Sequence, residues 1–357
     1  MPSSLRPGSK HRRVSTASIA TILAAAMAIG VPAATAATHH AAGTAPTAAL
    51  KQASQPAGFP TFVNLPADQP AHADVPQEWW YIMGHFTSHG QQYGYLVSFT
   101  AQGNASISLT DVTTQQYYES NQTFPTGEFS VSSSDLDIQF PDGSLSGPMN
   151  DMHLTAQLPG GHGSLDLTLD ARGPVMYAAG TGLIPLLGGQ TYYYSLPDVQ
   201  STGAMTFDGK TMRITGQSWL DHQWGDFNFG LLDKWTWMGI QLSDNEYVNL
   251  ADVFDNTGEH VFATVLNPDG SEDDVAVTPL AQDAGDFQTS TMSGQRYAGT
   301  WVVDIPSLHT RLKVTATPVL QEFPNGGFDE AESTVSGTFQ GKPVTGSARV
   351  EQVGVWK

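Results

Sequence analysis

From Gly58 onward the chain alternates hydrophobic and polar positions in short runs. Tyr93-Gly94-Tyr95-Leu96-Val97-Ser98-Phe99, Leu136-Asp137-Ile138-Gln139-Phe140 and Ser164-Leu165-Asp166-Leu167-Thr168-Leu169 are three of them. Thr300-Trp301-Val302-Val303-Asp304-Ile305 and Leu312-Lys313-Val314-Thr315-Ala316-Thr317 are two more. A period of two over five to seven residues sends successive side chains to opposite faces of a sheet. Pro141-Asp142-Gly143, Phe207-Asp208-Gly209 and Pro268-Asp269-Gly270 supply turn chemistry between runs and predict hairpins. No window of a dozen residues carries a helical stripe. The pattern predicts a nearly all-β protein.

An internal echo suggests how the strands are grouped. Trp80→Gly84, within Trp79-Trp80-Tyr81-Ile82-Met83-Gly84, matches Trp235→Gly239, within Trp235-Thr236-Trp237-Met238-Gly239. Each is followed by a polar turn and a second strand, Tyr93–Thr100 in one case and Tyr247–Asp255 in the other. The two hairpins read as the openings of two related units. The expected organisation is therefore two tandem antiparallel β-barrels, residues 57–225 and 226–357.

The first 56 residues read differently. Arg6, Lys10, Arg12 and Arg13 precede an apolar stretch from Ala17 to Ala34, and Ala34-Thr35-Ala36 is a small-x-small cleavage pattern. That order is the pattern of a secretory signal peptide, residues 1–36, which implies a secreted or extracytoplasmic protein with no stable membrane insertion after cleavage. Arg12-Arg13 raises the twin-arginine route beside the general one, although Val14-Ser15 matches it poorly. Residues 37–56 are Ala/Thr-rich and read as a disordered tether. His39 and His40 lie there with no carboxylate partner close by.

Composition narrows the function. Charged residues make up 14%, against about 25% in typical globular chains. The net charge is −19, and removing residues 1–36 takes away four bases and no acids, leaving −23. Nucleic acid is excluded as a general partner, because it needs Lys and Arg to displace phosphate counterions. With no cysteine there is no disulfide framework, thiolate metal site or thiol nucleophile. Familiar site patterns such as H-E-x-x-H and G-x-S-x-G are missing. Gly209-Lys210-Thr211 ends like a phosphate loop, but it lies between two strands rather than before a helix. His85 and His89 flank a hairpin turn and read as surface residues.

Two dense spots remain. In Trp219-Leu220-Asp221-His222-Gln223-Trp224-Gly225-Asp226, an extended chain puts Leu220, His222 and Trp224 on one face and Trp219, Asp221 and Gln223 on the other. His222 and Trp224 then point together into one cavity, which Asp221 joins only through a bulge or turn. The alternative reading is structural: Asp221 caps a turn and His222 is a satisfied core histidine. In Pro76-Gln77-Glu78-Trp79-Trp80-Tyr81, Glu78 shares a face with Trp80, and Trp79 with Tyr81. A desolvated Glu78 would suit a general acid, while a carboxylate bonded to backbone amides at the strand start would serve structure alone.

At these motifs the chain resembles a known family. Glu78-Trp79-Trp80-Tyr81-x-x-Gly84 with Trp219-x-Asp221-His222-Gln223-Trp224-Gly225 is similar to the signature pair of the AttH/CrtC-like lipocalin family. The likeness extends through Tyr193-Tyr194-Ser195, Gly203, Trp301, Ile305-Pro306, Glu322 and the run from Gly346 through Glu351 to Gly354, roughly residues 60–355. That family includes carotenoid 1,2-hydratases and pericyclases of the Diels–Alderase type. The resemblance implies two packed lipocalin-like antiparallel β-barrels and a hydrophobic, isoprenoid- or polyene-like small molecule as partner. It implies hydratase-like acid–base chemistry without cofactor or metal. It places His222 and Trp224 in the active site, with Asp221 holding His222 or acting as the acid, and Asp252, near Tyr247, as an additional carboxylate. Glu78, Trp80, Tyr81, Trp219, Trp235, Trp237 and Tyr247 complete the expected binding surface. A secreted lipid carrier without chemistry and a pericyclase-type template are the rival readings. Sequencing the N-terminus of the exported protein is expected to start at Ala37; a mature chain that retains Arg12-Arg13 would refute the signal assignment.

Overall fold

A computed structural model describes residues 61–318 and 320–354, so the segments read as a signal peptide and a tether, with His39-His40, lie outside the described residues. Two large antiparallel sheets account for nearly all of it. The first has thirteen strands, running from Gln116–Thr123 at one edge through Asn104–Asp111, Gln91–Thr100 and Gln77–Ser88 to the long pair Lys210–Asp226 and Gly189–Phe207. It continues through Gly163–Ala171, Met152–Leu158, Gly143–Ser146 and Asp137–Phe140 to Ser130–Val131. The short strands Met176–Tyr177 and Leu183–Leu186 pair with Gly189–Phe207. The second sheet has nine strands, with Leu232–Leu242 between Tyr247–Asp255 and Lys342–Gly354. Among the described residues, helix is limited to single 3-10 turns.

The period-two text explains this architecture. Inward positions of the first sheet (Ile82, Val97, Phe99, Ile107, Leu154, Leu167) close over one core. Those of the second (Met238, Ile240, Leu250, Trp301, Val314, Val350) close over another. Each sheet curls into a half-barrel around its own apolar filling, the all-β lipocalin-like architecture expected from the sequence. All three expected turns are hairpin connections, joining Phe140 to Gly143, Phe207 to Lys210 and Leu266 to Glu272 across their ladders. At the second turn Asp208 (φ 48°) and Gly209 (φ 76°) are both left-handed, as the twist of a two-residue hairpin demands.

The echo between the halves holds as topology but is out of phase by one residue. Gln77–Ser88 and Leu232–Leu242 are each flanked by the next strand and by the last strand of their own sheet. Trp80, however, fills the first core, whereas Trp235 packs in the seam between the sheets. The residues that share a role are Trp79 and Tyr81 with Trp235 and Trp237.

Polar side chains join the sheets along that seam. Arg349, 2% exposed, donates to the carbonyls of Glu330 and Tyr95, both at 2.9 Å, and pairs with Glu332 at 3.1 Å. Gln241 donates to the carbonyls of Pro197 (2.7 Å) and Ser218 (3.1 Å), and the Thr110 hydroxyl donates to Gln321 (2.7 Å). His85, expected at the surface, is half-buried beside Ser347, and burial together with Arg349 pushes its pKa down to about 4. Arg349 is thus a buried cation tying three strands. Arg349→Ala is expected to destabilise the fold by about 3–5 kcal/mol in urea unfolding, because it strands Glu332. Adding Glu332→Gln should recover part of that loss.

Candidate functional site between the sheets

The seam opens into a cavity of about 900 Å³. Its walls are aromatic (Trp79, Tyr81, Phe227, Trp235, Trp237, Phe328), and three carboxyl groups face in: Asp221, Glu330 and Glu351. The first sheet supplies one side through the outward positions of Gln77–Ser88 and Lys210–Asp226. The second supplies the other through Leu232–Leu242, Phe328–Phe339 and Lys342–Gly354. Register sets the neighbours, with Tyr81 opposite Asp221, Trp237 opposite Glu351, and Glu330 opposite Glu351.

Each carboxyl is held differently. Asp221 Oδ1 accepts from the Ser195 hydroxyl and from Trp219 Nε1, both at 2.6 Å. Trp219 and Asp221 are two residues apart on one strand face, which is the physical reason for the W-x-D spacing. Ser195 is itself bonded by Asn249 Nδ2 at 3.1 Å, and Asn249 accepts from Trp237 Nε1 at 3.0 Å. Glu351 Oε1 accepts from Trp235 Nε1 at 2.8 Å.

Burial governs their protonation. It pushes Asp221 up to about 7 against the bonds from Ser195 and Trp219, and Glu351 up to about 7 against Trp235, with Asp221 adding to the rise. Glu330 is raised well above the usual carboxyl range by burial and by Glu351. Among the described residues lining the cavity there is no Lys, Arg or His. The acids therefore lie close together without a counter-ion on the wall, and near neutrality some of their protons remain bound.

His222, Trp224, Trp80 and Glu78 are placed differently from the expectation that they line the ligand cavity. Alternation does put them together, but their face turns into the closed interior of the first sheet. His222 is fully buried between Trp80 (4.5 Å between ring centres) and Trp224 (4.7 Å). Its Nε2 is 2.9 Å from Glu78 Oε1, and that oxygen is 2.8 Å from His72 Nδ1. His72 stacks flat on Trp224 at 4.1 Å, and its backbone N–H also donates to Glu78. Asp221 faces the cavity with no bulge at its position, because the cavity lies on the opposite side of the sheet from the one expected.

The electrostatics of this second cluster are self-contained. Burial alone would depress His72, but hydrogen bonds to Asp68 and Glu78 outweigh it and raise the pKa to about 9. Burial alone would raise Glu78, but His222 and His72 hold it below 4.5. Burial lowers His222, and its bond to Glu78 only partly offsets this. The arrangement is an imidazolium, a carboxylate and a neutral imidazole in a row. His72, Glu78 and His222 each offer a ligand atom within 4.8 Å of the others, so a metal is sterically conceivable. The Glu78 oxygens are already occupied by both rings and by a backbone amide.

Asp252 also departs from expectation. It lies five residues after Tyr247, hence on the opposite strand face, and points into the second sheet, where Oδ2 accepts from the Leu280 amide at 3.0 Å. Burial pushes it up to about 6, but it does not line the cavity. Trp219 and Tyr247 pack edge to face in the apolar seam behind the wall. Tyr81, Trp235 and Trp237 do line the cavity. Sequence reasoning did not pick out Glu330 or Glu351 as site residues, although Glu351 lies in the run Gly346–Gly354 that carried the resemblance. Nor did it pick out His72, an isolated histidine six residues before Glu78.

The family model described as AttH-like matches residues 57–354. The chain belongs to the AttH-like family. Among AttH-like relatives, the dehydratase asqC of Emericella nidulans is 26% identical over 321 residues, covering 83% of this chain and 90% of that protein. The kievitone hydratase of Fusarium solani subsp. phaseoli is 24% identical over 300 residues, covering 79% and 83%. Among solved structures, an AttH protein of Nitrosomonas europaea superposes with a TM-score of 0.70 at 18% identity, covering 83% of this chain and 97% of that one. Kievitone hydratase of Nectria haematococca gives 0.67 at 18%, covering 82% and 92%. The AttH-like fold is thus shared with hydratase and dehydratase enzymes.

The His72–Glu78–His222 row predicts a pH signature. His72 titrates near 9 in the fold against 6.5 unfolded, so its stabilisation is complete below about 6.5 and lost as pH rises through about 9. Glu78, held below 4.5, contributes above that value and loses its contribution as pH falls through its lowered pKa. In denaturant titrations, His72→Gln is expected to flatten the stability slope on the alkaline side. An unchanged slope would show that the row does not bind its extra proton.

Proposed function

We propose that the protein is a cofactor-independent hydro-lyase, adding water to or removing it from an unsaturated hydrophobic small molecule bound between the two sheets. The observation that carries this reading is the pair Asp221 and Glu351, two carboxyls with pKa values of about 7 in one aromatic-walled cavity. Like charges brought together do not both ionise at once, so near neutrality one member holds a proton while the other is a base. Hydration needs both: the acid protonates the unsaturated carbon skeleton, and the base takes a proton from the attacking water. Dehydration runs the same steps backwards. The tryptophan and phenylalanine walls suit an isoprenoid- or polyene-like skeleton and exclude bulk water from the acids.

Membership in a family with a hydratase and a dehydratase among its relatives supports the reaction class. In this reading Asp221 is the reacting member of the Asp221-His222-Gln223-Trp224-Gly225 run. His222 and Trp224 brace the same strand from behind, through Glu78 and His72. The signal-like residues 1–36 would place the activity outside the cytoplasm.

Asp221→Asn and Glu351→Gln are each expected to lower kcat/KM by about 10²–10⁴-fold, the range for a lost general acid or base. The wild-type pH profile should be bell-shaped and centred near 7. Wild-type turnover in both variants would refute the mechanism. Native mass spectrometry that finds an apolar ligand bound and unconverted on incubation would favour a carrier instead.

A further inference from the structure

Two groups in the cavity are not used by that proton exchange. Tyr81 Oη and Glu330 Oε2 are both buried with no partner at ordinary hydrogen-bond distance, interact only loosely with each other, and belong to residues that line the cavity. Tyr81 is 9% exposed and Glu330 1%. The two side chains are close enough to influence each other's ionisation. Buried polar atoms are nearly always well bonded, so two adjacent ones on an aromatic wall with only a loose contact between them point to a ligand atom that meets both.

We infer that Tyr81 and Glu330 form an oxyanion hole, and that the substrate is a hydrophobic α,β-unsaturated carbonyl compound or its β-hydroxy counterpart. This rests on the hydro-lyase reading and names its substrate class. The chemistry of the two groups selects the charge they can receive. Burial keeps the Tyr81 phenol protonated, and burial with Glu351 nearby keeps Glu330 protonated. Both are therefore neutral donors, suited to an oxygen gaining negative charge and unsuited to a carbocation. A tyrosine beside a neutral carboxylic acid is a known way to hold an enolate.

Register places each donor beside one of the proton-exchanging acids: Tyr81 is the cross-strand neighbour of Asp221, and Glu330 of Glu351. A carbonyl oxygen at the two donors then leaves its α- and β-carbons near the two carboxyls. In hydration, water forms the Cβ–O bond and gives its proton to the ionised carboxyl. The π electrons move to the carbonyl oxygen, where Tyr81 and Glu330 stabilise the enolate. The protonated carboxyl then delivers its proton to Cα, restoring the carbonyl. One proton is taken up and one released, and no other reagent is needed.

The test uses 2-naphthol as an enolate-shaped probe, with naphthalene as its oxygen-free counterpart, in fluorescence titrations of the whole protein. The expected result is that 2-naphthol binds at least about tenfold tighter than naphthalene, and that more acidic halogenated naphthols bind tighter still. Tyr81→Phe and Glu330→Met, neither of which leaves a donor at its position, should each erase most of that preference while naphthalene still binds, and circular dichroism checks the fold of both variants. Equal affinity for 2-naphthol and naphthalene in the wild type, or a preference untouched by both substitutions, would overturn the inference. Turnover separates it from the reading beneath it. Hydration of the carbonyl-free alkene β-methylstyrene as fast as of 4-phenylbut-3-en-2-one would overturn the oxyanion hole and leave the hydro-lyase standing. A naphthol preference without water addition to either compound would keep the hole and count against the hydro-lyase.

Discussion

The antiparallel pairing of Gln77–Ser88 with Lys210–Asp226 is the constraint on which the remaining architecture depends. Trp80 lies opposite His222 and Tyr81 opposite Asp221, so one ladder fixes two chemically unlike surfaces back to back. One surface is packed shut around a histidine–glutamate row, and the other opens on the inter-sheet cavity. Gly225 at the end of the motif belongs to the same constraint: a Cβ there would fall against the Gln190 carbonyl of the neighbouring strand. A one-residue slip would exchange Asp221 for His222 on the cavity wall. The closed row behind the ladder, with Trp80 stacked on His222 and Trp224 tilted against it, opposes such a slip.

The second sheet turns this surface into a site. It brings Glu330 and Glu351 against Asp221 and seals the acids among tryptophans, and Arg349 fastens the sheets from behind. Desolvation then does what residue type alone cannot, lifting ordinary carboxyls toward neutrality. Hydrogen bonds from Trp219, Ser195 and Trp235 limit the rise for Asp221 and Glu351. Glu330 Oε2 has only a loose contact with Tyr81, and burial with Glu351 nearby holds Glu330 well above the usual carboxyl range. Graded hydrogen bonding thus differentiates three acids in one enclosure.

Much of the fold was legible in the sequence because period-two alternation and Asp-Gly turns are local signals. Strand positions, hairpins and the division of Trp219 and Asp221 from His222 and Trp224 all followed from spacing. Which of the two faces opens on a cavity did not, since that depends on a partner sheet whose strands lie up to 130 residues further on. Glu351 and Glu330 sit in runs that alternate like any other strand, and nothing near them in sequence marks them as buried. His72 was invisible for a related reason: its partners are a strand start and a motif 150 residues away. The Trp80–Trp235 echo misled by one residue because aromatic density, rather than facing, made the match. Asp252 was picked for its proximity to Tyr247 in sequence, and strand parity separated the two.

The described cavity wall carries acids, amides, hydroxyls and aromatic rings, but no amine, imidazole or guanidinium, and the whole chain has no thiol. Those absent groups are the ones that electrophilic carbon attacks most readily. An occupant with a reactive carbonyl or a conjugated double bond would find no side chain with which to form a Schiff base or a thioether. The wall is passive toward the very class of molecule that would otherwise modify a binding protein permanently. Such an occupant could enter and leave repeatedly without covalently marking the cavity.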